Sequence, residues 1–371
     1  VANQTIRRRR AAFIFIGGLA AAAFVIGATL GESQEPSSSP ASSRLGLGEL
    51  AGTRVITGFP GTTPPSRVRR MIREGRLGGL ILFAENLPNR VVGRRLIRRL
   101  QAIPRPPGLR DPLLVMLDQE GGLVKRIGGA PTASARQMGA RGPAFSRAQG
   151  RLTAANLRDL GANVDLAPVL DVARPGGTIA ETDRGFGSTA ARVAATAVPF
   201  AEGLQAGGVA ATAKHFPGLG SARLNTDFAV QRIGLSRRAL RAVDEAPYRR
   251  FVASGGEMVM LGTAIYPAFS ERPAAFTRAI ATGELRSRLG FEGVSITDAL
   301  ETVAVRDFGG PARAGRAAAH AGVDLLLFTD PGAAAEAGRA LLRGLRAGSL
   351  SRASFETSAE RVLRLRHRLG R

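Results

Sequence analysis

The sequence predicts an α/β fold: one (β/α)8 TIM-type barrel preceded by an N-terminal apolar segment. Three observations carry that expectation. First, eight short apolar runs recur along the chain, at 54–58, 79–83, 113–117, 164–168, 210–214, 258–262, 294–297 and 325–328. Short runs that are mainly apolar and β-rich suit strands buried on both faces of a parallel sheet. Second, the stretches between several of them are rich in Arg, Ala and Leu at helical spacing, as at 188–206 and 313–321. Third, ionisable residues stand at or just past the ends of four runs: Asp118 after LLVML, Asp171 after VDLAPVL, His215 after AATAK and Asp298 after GVSIT. In a barrel, residues at the C-terminal ends of the strands converge on one face, where active sites lie. The bland alternative is that such aspartates cap the following helices, and for Asp171 both readings stay open. An open doubly wound sheet is the rival architecture, but no GxGxxG follows the first strand and no Walker pattern occurs.

The chain opens with a positive cluster, Arg7 to Arg10, followed by twenty residues without a charge, AAFIFIGGLAAAAFVIGATL (11–30). As a helix this run spans roughly 30 Å, the thickness of a hydrocarbon core. A cleavable signal usually has a shorter apolar run and a small-residue cleavage site, and the local candidate, Ile26-Gly27-Ala28, is poor. Residues 1–31 are therefore expected to be a membrane anchor, with a cleaved signal as the alternative. The positive flank places the remainder outside the cytoplasm. Residues 32–46, rich in Ser and Pro, read as a flexible linker. The barrel is expected to occupy 47–371, ending in a basic amphipathic stretch, RVLRLRHRLGR (361–371), that either packs on the barrel or faces solvent or lipid.

Composition narrows the chemistry. Hydrophobic residues make up 44% of the 371, enough for a large core, so wholesale disorder is excluded. There are no cysteines, which excludes disulfides, thiolate metal sites and a cysteine nucleophile. Three histidines, His215, His320 and His367, are too few and too scattered for a multi-histidine metal centre. The net charge is +23, which points to an anionic partner such as a membrane surface or a cell-wall polymer. Nucleic acid is not expected, since neither basic-aromatic interleaving nor a zinc finger is present. Only two of the 52 basic residues are lysines, Lys125 and Lys214, so each persists against a strong arginine bias.

Three motifs carry a family resemblance: DQEGGLVKRI (118–127), KHFPGLG (214–220) and GVSITDALE (293–301). Together with LILFAENLPN (80–89), VDLAPVLDV (164–172), ETDRGFGS (181–188) and AGVDLLLF (321–328), they resemble glycoside hydrolase family 3, above all its single-domain bacterial β-N-acetylhexosaminidases. The resemblance covers roughly residues 50–335 and implies a (β/α)8 barrel, in agreement with the strand count. It also implies retaining hydrolysis of β-linked N-acetylhexosaminides through a covalent glycosyl-enzyme, with Asp298 as nucleophile. Sugar-binding roles fall on Asp118, Arg126, Arg184, Lys214 and His215, and Glu120 takes a structural role. Lys125 has no family role and reads as a surface residue. No metal or organic cofactor is implied. A saccharide from cell-wall glycan is the expected substrate, and the oligomeric state is left open.

The loop after KHFPG departs from the family. That branch has a G-H-G triplet followed by D-S-H, whose histidine, paired with the aspartate, is the general acid/base. Here 218–228 reads GLGSARLNTDF: Leu219 takes the place of the first histidine, Asn225 of the aspartate and Asp227 of the catalytic histidine. Thr263 stands where the family often has another histidine. Three readings follow. Asp227 replaces the acid/base, two carboxyls being the usual retaining arrangement; or the domain binds sugar without efficient hydrolysis; or Asp227 only shapes the Asn-Thr-Asp turn. The first is carried forward, with Asp298 and Asp227 as the catalytic pair. A β-glucosidase-like activity is a weaker alternative.

Overall fold

The computed structural model describes residues 41–371, so the expected anchor at 1–31 and most of the linker lie outside the described residues. Among the described residues no helix is long and apolar enough to cross a membrane.

All eight expected strands form: β1 (Val55–Thr57), β2 (Gly79–Ile81), β3 (Leu114–Leu117), β4 (Val164–Asp165), β5 (Ala210–Phe216), β6 (Met258–Leu261), β7 (Val294–Thr297) and β8 (Leu326–Phe328). They pair in parallel, in chain order from β1 to β7, and β8 returns to pair with β1 at Val55↔Leu326. The seam between β7 and β8 is bridged at Ile296↔Leu325, where the Leu325 N–H donates to the Ser295 carbonyl at 2.8 Å. The two helical stretches read from the sequence appear as Ala190–Ala206, whose N-cap Thr189 accepts from the Arg192 N–H, and Pro311–Ala321, whose proline sits in the first turn.

Strand periodicity divides the apolar side chains between two clusters. Ile56, Leu114, Met116, Met258 and Ile296 fill the barrel interior. Their strand neighbours Val55, Val115, Leu117, Val259 and Leu326 pack outward in the larger cluster with the helices. The basic C-terminal stretch belongs to a helix, Arg352–Leu369, which packs on the barrel: Val362 and Leu365 join the interior cluster. Its Arg366, fully buried, donates to the carbonyls of Leu109, Asp111 and Pro112, and Arg361 pairs with Asp324 at 3.1 Å. These partners all precede strands, so the helix closes the N-terminal floor of the barrel and the site lies at the opposite end. His320 and His367 are exposed.

One element was not anticipated. Gln119–Gly121 and Val124–Lys125 form a short antiparallel hairpin just past β3. Its turn needs glycine, with φ of 93° at Gly121 and 59° at Gly122. A Cβ on Gly121 would lie 2.2 Å from the Ala133 carbonyl oxygen, so the close approach there is to neighbouring backbone. Lys125, read as a surface residue, is partly exposed, and its Nζ clamps the loop by donating to the carbonyls of Gly129 (2.6 Å) and Pro131 (3.1 Å).

Candidate active site

The strand ends and their loops enclose a cavity of about 360 Å³. Asp118, Arg126, Arg184, Lys214, His215, Asp227 and Asp298, the seven residues singled out from the sequence, all line it. Each reaches it for a local reason. Asp118 follows β3, and Arg126 sits beyond the hairpin that β3 feeds. Lys214 and His215 belong to the end of β5, where the register with β6 shifts between Ala213 and Phe216. Asp298 follows β7 directly, its N–H held by the Leu261 carbonyl of β6 at 2.9 Å.

The cationic and anionic groups on the β3–β5 side are interlocked. Lys214 Nζ lies 2.7 Å from Asp118 Oδ1 and 2.7 Å from Glu120 Oε1. Arg184 grips Glu120 with both tines of its fork, Nε and Nη2 each at 2.8 Å. Arg126 Nη2 reaches Asp118 Oδ2 at 3.0 Å, and its guanidinium stands 5.7 Å from the centre of the Phe83 ring. Lys214 and Glu120 are almost completely buried, 2% and 3% exposed. Burial alone would raise the Asp118 and Glu120 carboxyls, but the adjoining cations outweigh it. Lys214 and Arg126 hold Asp118 below the ordinary carboxylate range, and Arg184 and Lys214 hold Glu120 well below it. For Lys214 burial opposes the charge, yet Asp118 and Glu120 raise its pKa above the ordinary lysine value. Two cation contacts, from Lys214 on Oδ1 and Arg126 on Oδ2, thus hold Asp118 in the cavity lining. Glu120 acts as expected by holding its surroundings, though what it holds is Arg184 and Lys214.

Two further residues take part, Asp171 and Glu301. Asp171, fully buried, accepts His215 Nδ1 on Oδ2 at 2.7 Å. Its Oδ1 takes the backbone N–H groups of His215 (3.2 Å) and Leu219 (2.6 Å). Of the two readings left open for Asp171, positioning the histidine is the one observed. A carboxylate on Nδ1 keeps a proton on that nitrogen and fixes the orientation of the ring. Glu301 lines the cavity as well, its oxygens taken by the N–H groups of Thr329 and Asp330 at 3.0 Å. Burial raises the Glu301 pKa above its ordinary value despite those bonds. The motif GVSITDALE contains Glu301, but nothing in its spacing says that it bends back to the cavity.

Asp298 and Asp227 differ in setting. Asp298 accepts the Ala299 N–H at 2.8 Å. Enclosure pushes its carboxyl above the ordinary value; His215 pulls it partly back, while the charge of Asp227 adds to the rise. Asp227 is exposed. Its carboxylate accepts from Asn225 Nδ2 at 3.1 Å and its N–H donates to Asn225 Oδ1 at 3.0 Å. Its carbonyl takes the Val303 N–H at 3.3 Å, tying this loop to the segment beyond β7. Leu219 and Thr263, which occupy the other two altered positions, are buried away from the cavity lining.

A parallel eight-strand barrel carrying paired carboxylates and a charged sugar-sized cavity at its C-terminal end defines a glycosidase scaffold. The chain belongs to glycosyl hydrolase family 3: the model of that family's N-terminal domain matches residues 46–365. Its relatives agree that it is a glycosidase. An uncharacterized secreted glycosyl hydrolase of Arthroderma benhamiae is 38% identical over 337 residues, covering 88% of this chain and 94% of that one. A β-hexosaminidase of Alkalilimnicola ehrlichii is 33% identical over 283 residues, 74% of this chain and 80% of that one. Among solved structures, the β-N-acetylhexosaminidase of Beutenbergia cavernae superposes with a TM-score of 0.81 at 30% identity, covering 87% of this chain and 99% of that one. The family 3 β-N-acetylglucosaminidase of a Paenibacillus strain gives 0.83 at 33% identity over 88% of this chain, which spans 63% of that enzyme.

Proposed function

We propose that this chain hydrolyses β-linked N-acetylhexosaminides with retention of configuration, Asp298 attacking the anomeric carbon and Asp227 serving as acid and then base. The observation that carries the reading is the convergence of both carboxylates, with the charge of Asp227 felt at Asp298, on a cavity whose other wall is the Asp118–Lys214–Glu120–Arg184 network. That wall offers carboxylate acceptors and cationic donors to sugar hydroxyls. The bond between the anomeric carbon and the leaving oxygen breaks as the Asp298 ester forms and Asp227 delivers a proton to that oxygen. Water then attacks the anomeric carbon of the glycosyl ester while Asp227 takes the water's proton, and Asp298 leaves as carboxylate. His215, oriented by Asp171, hydrogen-bonds a sugar hydroxyl through Nε2. The relatives' names favour the N-acetylhexosaminide. A cell-wall glycan substrate, and an extracytoplasmic location by a retained or cleaved N-terminal segment, are supported by the apolar run at 11–30, the net charge of +23 and the secreted relative.

The test compares wild type, Asp298→Ala and Asp227→Ala on two aryl β-N-acetylglucosaminides, one with a good and one with a poor leaving group. Asp298→Ala is expected to lose both activities by ~10⁴-fold or more. Asp227→Ala is expected to spare kcat/KM on the good leaving group and to lose about 10²–10⁴-fold on the poor one. An Asp227→Ala enzyme equally competent on both removes Asp227 from the mechanism. A slow fluorinated substrate should add one sugar mass to the peptide carrying Asp298; label on another peptide assigns the nucleophile elsewhere.

A further inference from the structure

Among the described residues, the large apolar side chains that stand exposed are Val91, Leu123, Leu152, Leu224, Phe228 and Val230. Singly scattered, such residues need no explanation, whereas a gathering of them marks a binding surface. Four of the six sit on two loops that border the same cavity. Leu123, 78% exposed, is at the tip of the hairpin, beside the cavity-lining Val124. Leu224 and Phe228, 58% and 78% exposed, flank the cavity-lining Asn225 and Asp227, and Val230 follows on the same loop.

Their position relative to the reacting bond gives them a use. The inner cavity wall is charged and suits the hydroxyls of the sugar being cleaved. An acid at Asp227 must touch the glycosidic oxygen, so what projects beyond Asp227 on its own loop meets the group on the far side of that oxygen. We infer that Leu123, Leu224 and Phe228 form an apolar leaving-group subsite at the cavity mouth, selecting glycosides whose leaving group presents an apolar surface. That surface can be the C–H face of a second sugar ring or a short alkyl chain; the chemistry recognised is the same. Covering each methylene is worth up to about fourfold in binding, and a flat Phe side chain loses little freedom on doing so. The inference rests on the glycosidase reading, with Asp227 as acid.

The experiment measures kcat and KM of the full chain on the methyl and hexyl β-N-acetylglucosaminides and on N,N′-diacetylchitobiose. The methyl and hexyl glycosides release alkoxides of comparable basicity, so their ratio reports the far side of the bond; a sugar hydroxyl leaves more readily, so chitobiose is read as the change between wild type and variant. The hexyl glycoside is expected to exceed the methyl by about tenfold or more, chiefly through KM. Phe228→Ala, and separately Leu123→Ser on the loop that does not carry Asp227, should each reduce the hexyl:methyl ratio several-fold. A parallel fall in the chitobiose:methyl ratio identifies the sugar face as a natural occupant; a fall confined to hexyl identifies an alkyl aglycone. A ratio near one in wild type, or a ratio that neither variant moves, overturns the inference. So does a change in sedimentation with Phe228→Ala at constant ratio, which makes the patch a contact between copies. Turnover of a good-leaving aryl glycoside demands least of the rim and separates the two levels. If it is present while the hexyl:methyl ratio is flat, only the subsite fails; if it is absent, the glycosidase reading fails and the subsite with it.

Discussion

The two sides of the cavity are held in different ways. On the β3–β5 side, Asp118, Glu120, Arg184 and Lys214 are interlocked, and every charge meets an opposite one within 3.0 Å. On the loop beyond β5, Asn225 and Asp227 are bonded chiefly to each other and stand at the surface, with Phe228 beside them. The first side is assembled before substrate arrives, because buried charges this close to one another have nowhere else to go. The second is held by its own turn and by the Val303 N–H on the Asp227 carbonyl, and its exposed carboxylate meets Asn225 rather than a cation. Positioning is thus concentrated where the sugar is bound, and proton transfer is left to the adaptable side.

The largest expected effect is on the rigid side. Lys214→Met keeps the length of the side chain and removes the cation that separates Asp118 from Glu120. Removing one partner of a buried ion pair costs ~3–5 kcal/mol, so urea unfolding should show a loss of that order together with lost activity. A variant of unchanged stability would mean that Arg126 and Arg184 alone neutralise the two carboxylates. On the adaptable side the pattern reverses. Asp227→Asn should leave the unfolding midpoint unmoved while lowering kcat on a poor leaving group by about 10²–10⁴-fold. Equal losses of stability and activity would erase the distinction between the two sides. Asp171→Asn is smaller again. An asparagine can keep the two backbone bonds at Oδ1, but it removes the carboxylate that holds the Nδ1 proton and orients the ring. The value of kcat/KM should fall by ~10-fold with stability little changed, which sugar-binding titrations would report as weaker ground-state affinity.

The same contrast explains what could be read from the sequence. Barrel strands such as LLVML and GVSIT are legible because burial on both faces demands uninterrupted apolar residues, and the residue that ends each run must then lie at the rim. That is enough to place Asp118 and Asp298. Partnership across the barrel is not legible in this way. Asp171 and His215 lie 44 residues apart and meet only because β4 and β5 are neighbours in one register. The aspartate alone looks like a helix cap. The C-terminal helix shows its amphipathic stripe in RVLRLRHRLGR, but not that the stripe plugs the barrel floor through Val362 and Leu365, because no local pattern names the surface a stripe will cover. The clamp made by the surface residue Lys125 is illegible for a related reason: its carbonyl partners at Gly129 and Pro131 exist only once the loop is folded.

The smallest expected effect ties the two sides together through the Asp298 carboxyl. Enclosure raises its pKa above the ordinary 3.8, His215 draws it down and Asp227 draws it up. The nucleophile must be ionised, so kcat/KM should fall as pH drops through that raised value, and the acid limb should lie above 3.8. A substrate with a good leaving group reports this limb without needing the acid. Replacing Asp227 by Asn removes a negative neighbour and should move the limb to lower pH; replacing His215 by Ala removes the opposing influence and should move it to higher pH. The two displacements have opposite sign, which a general loosening of the site would not produce. If both variants move the limb the same way, or neither moves it, the group titrating in the free enzyme is not Asp298 in the company of these two neighbours. Glu301, whose pKa is also raised by burial and which faces the same cavity, would then be the next carboxyl to replace.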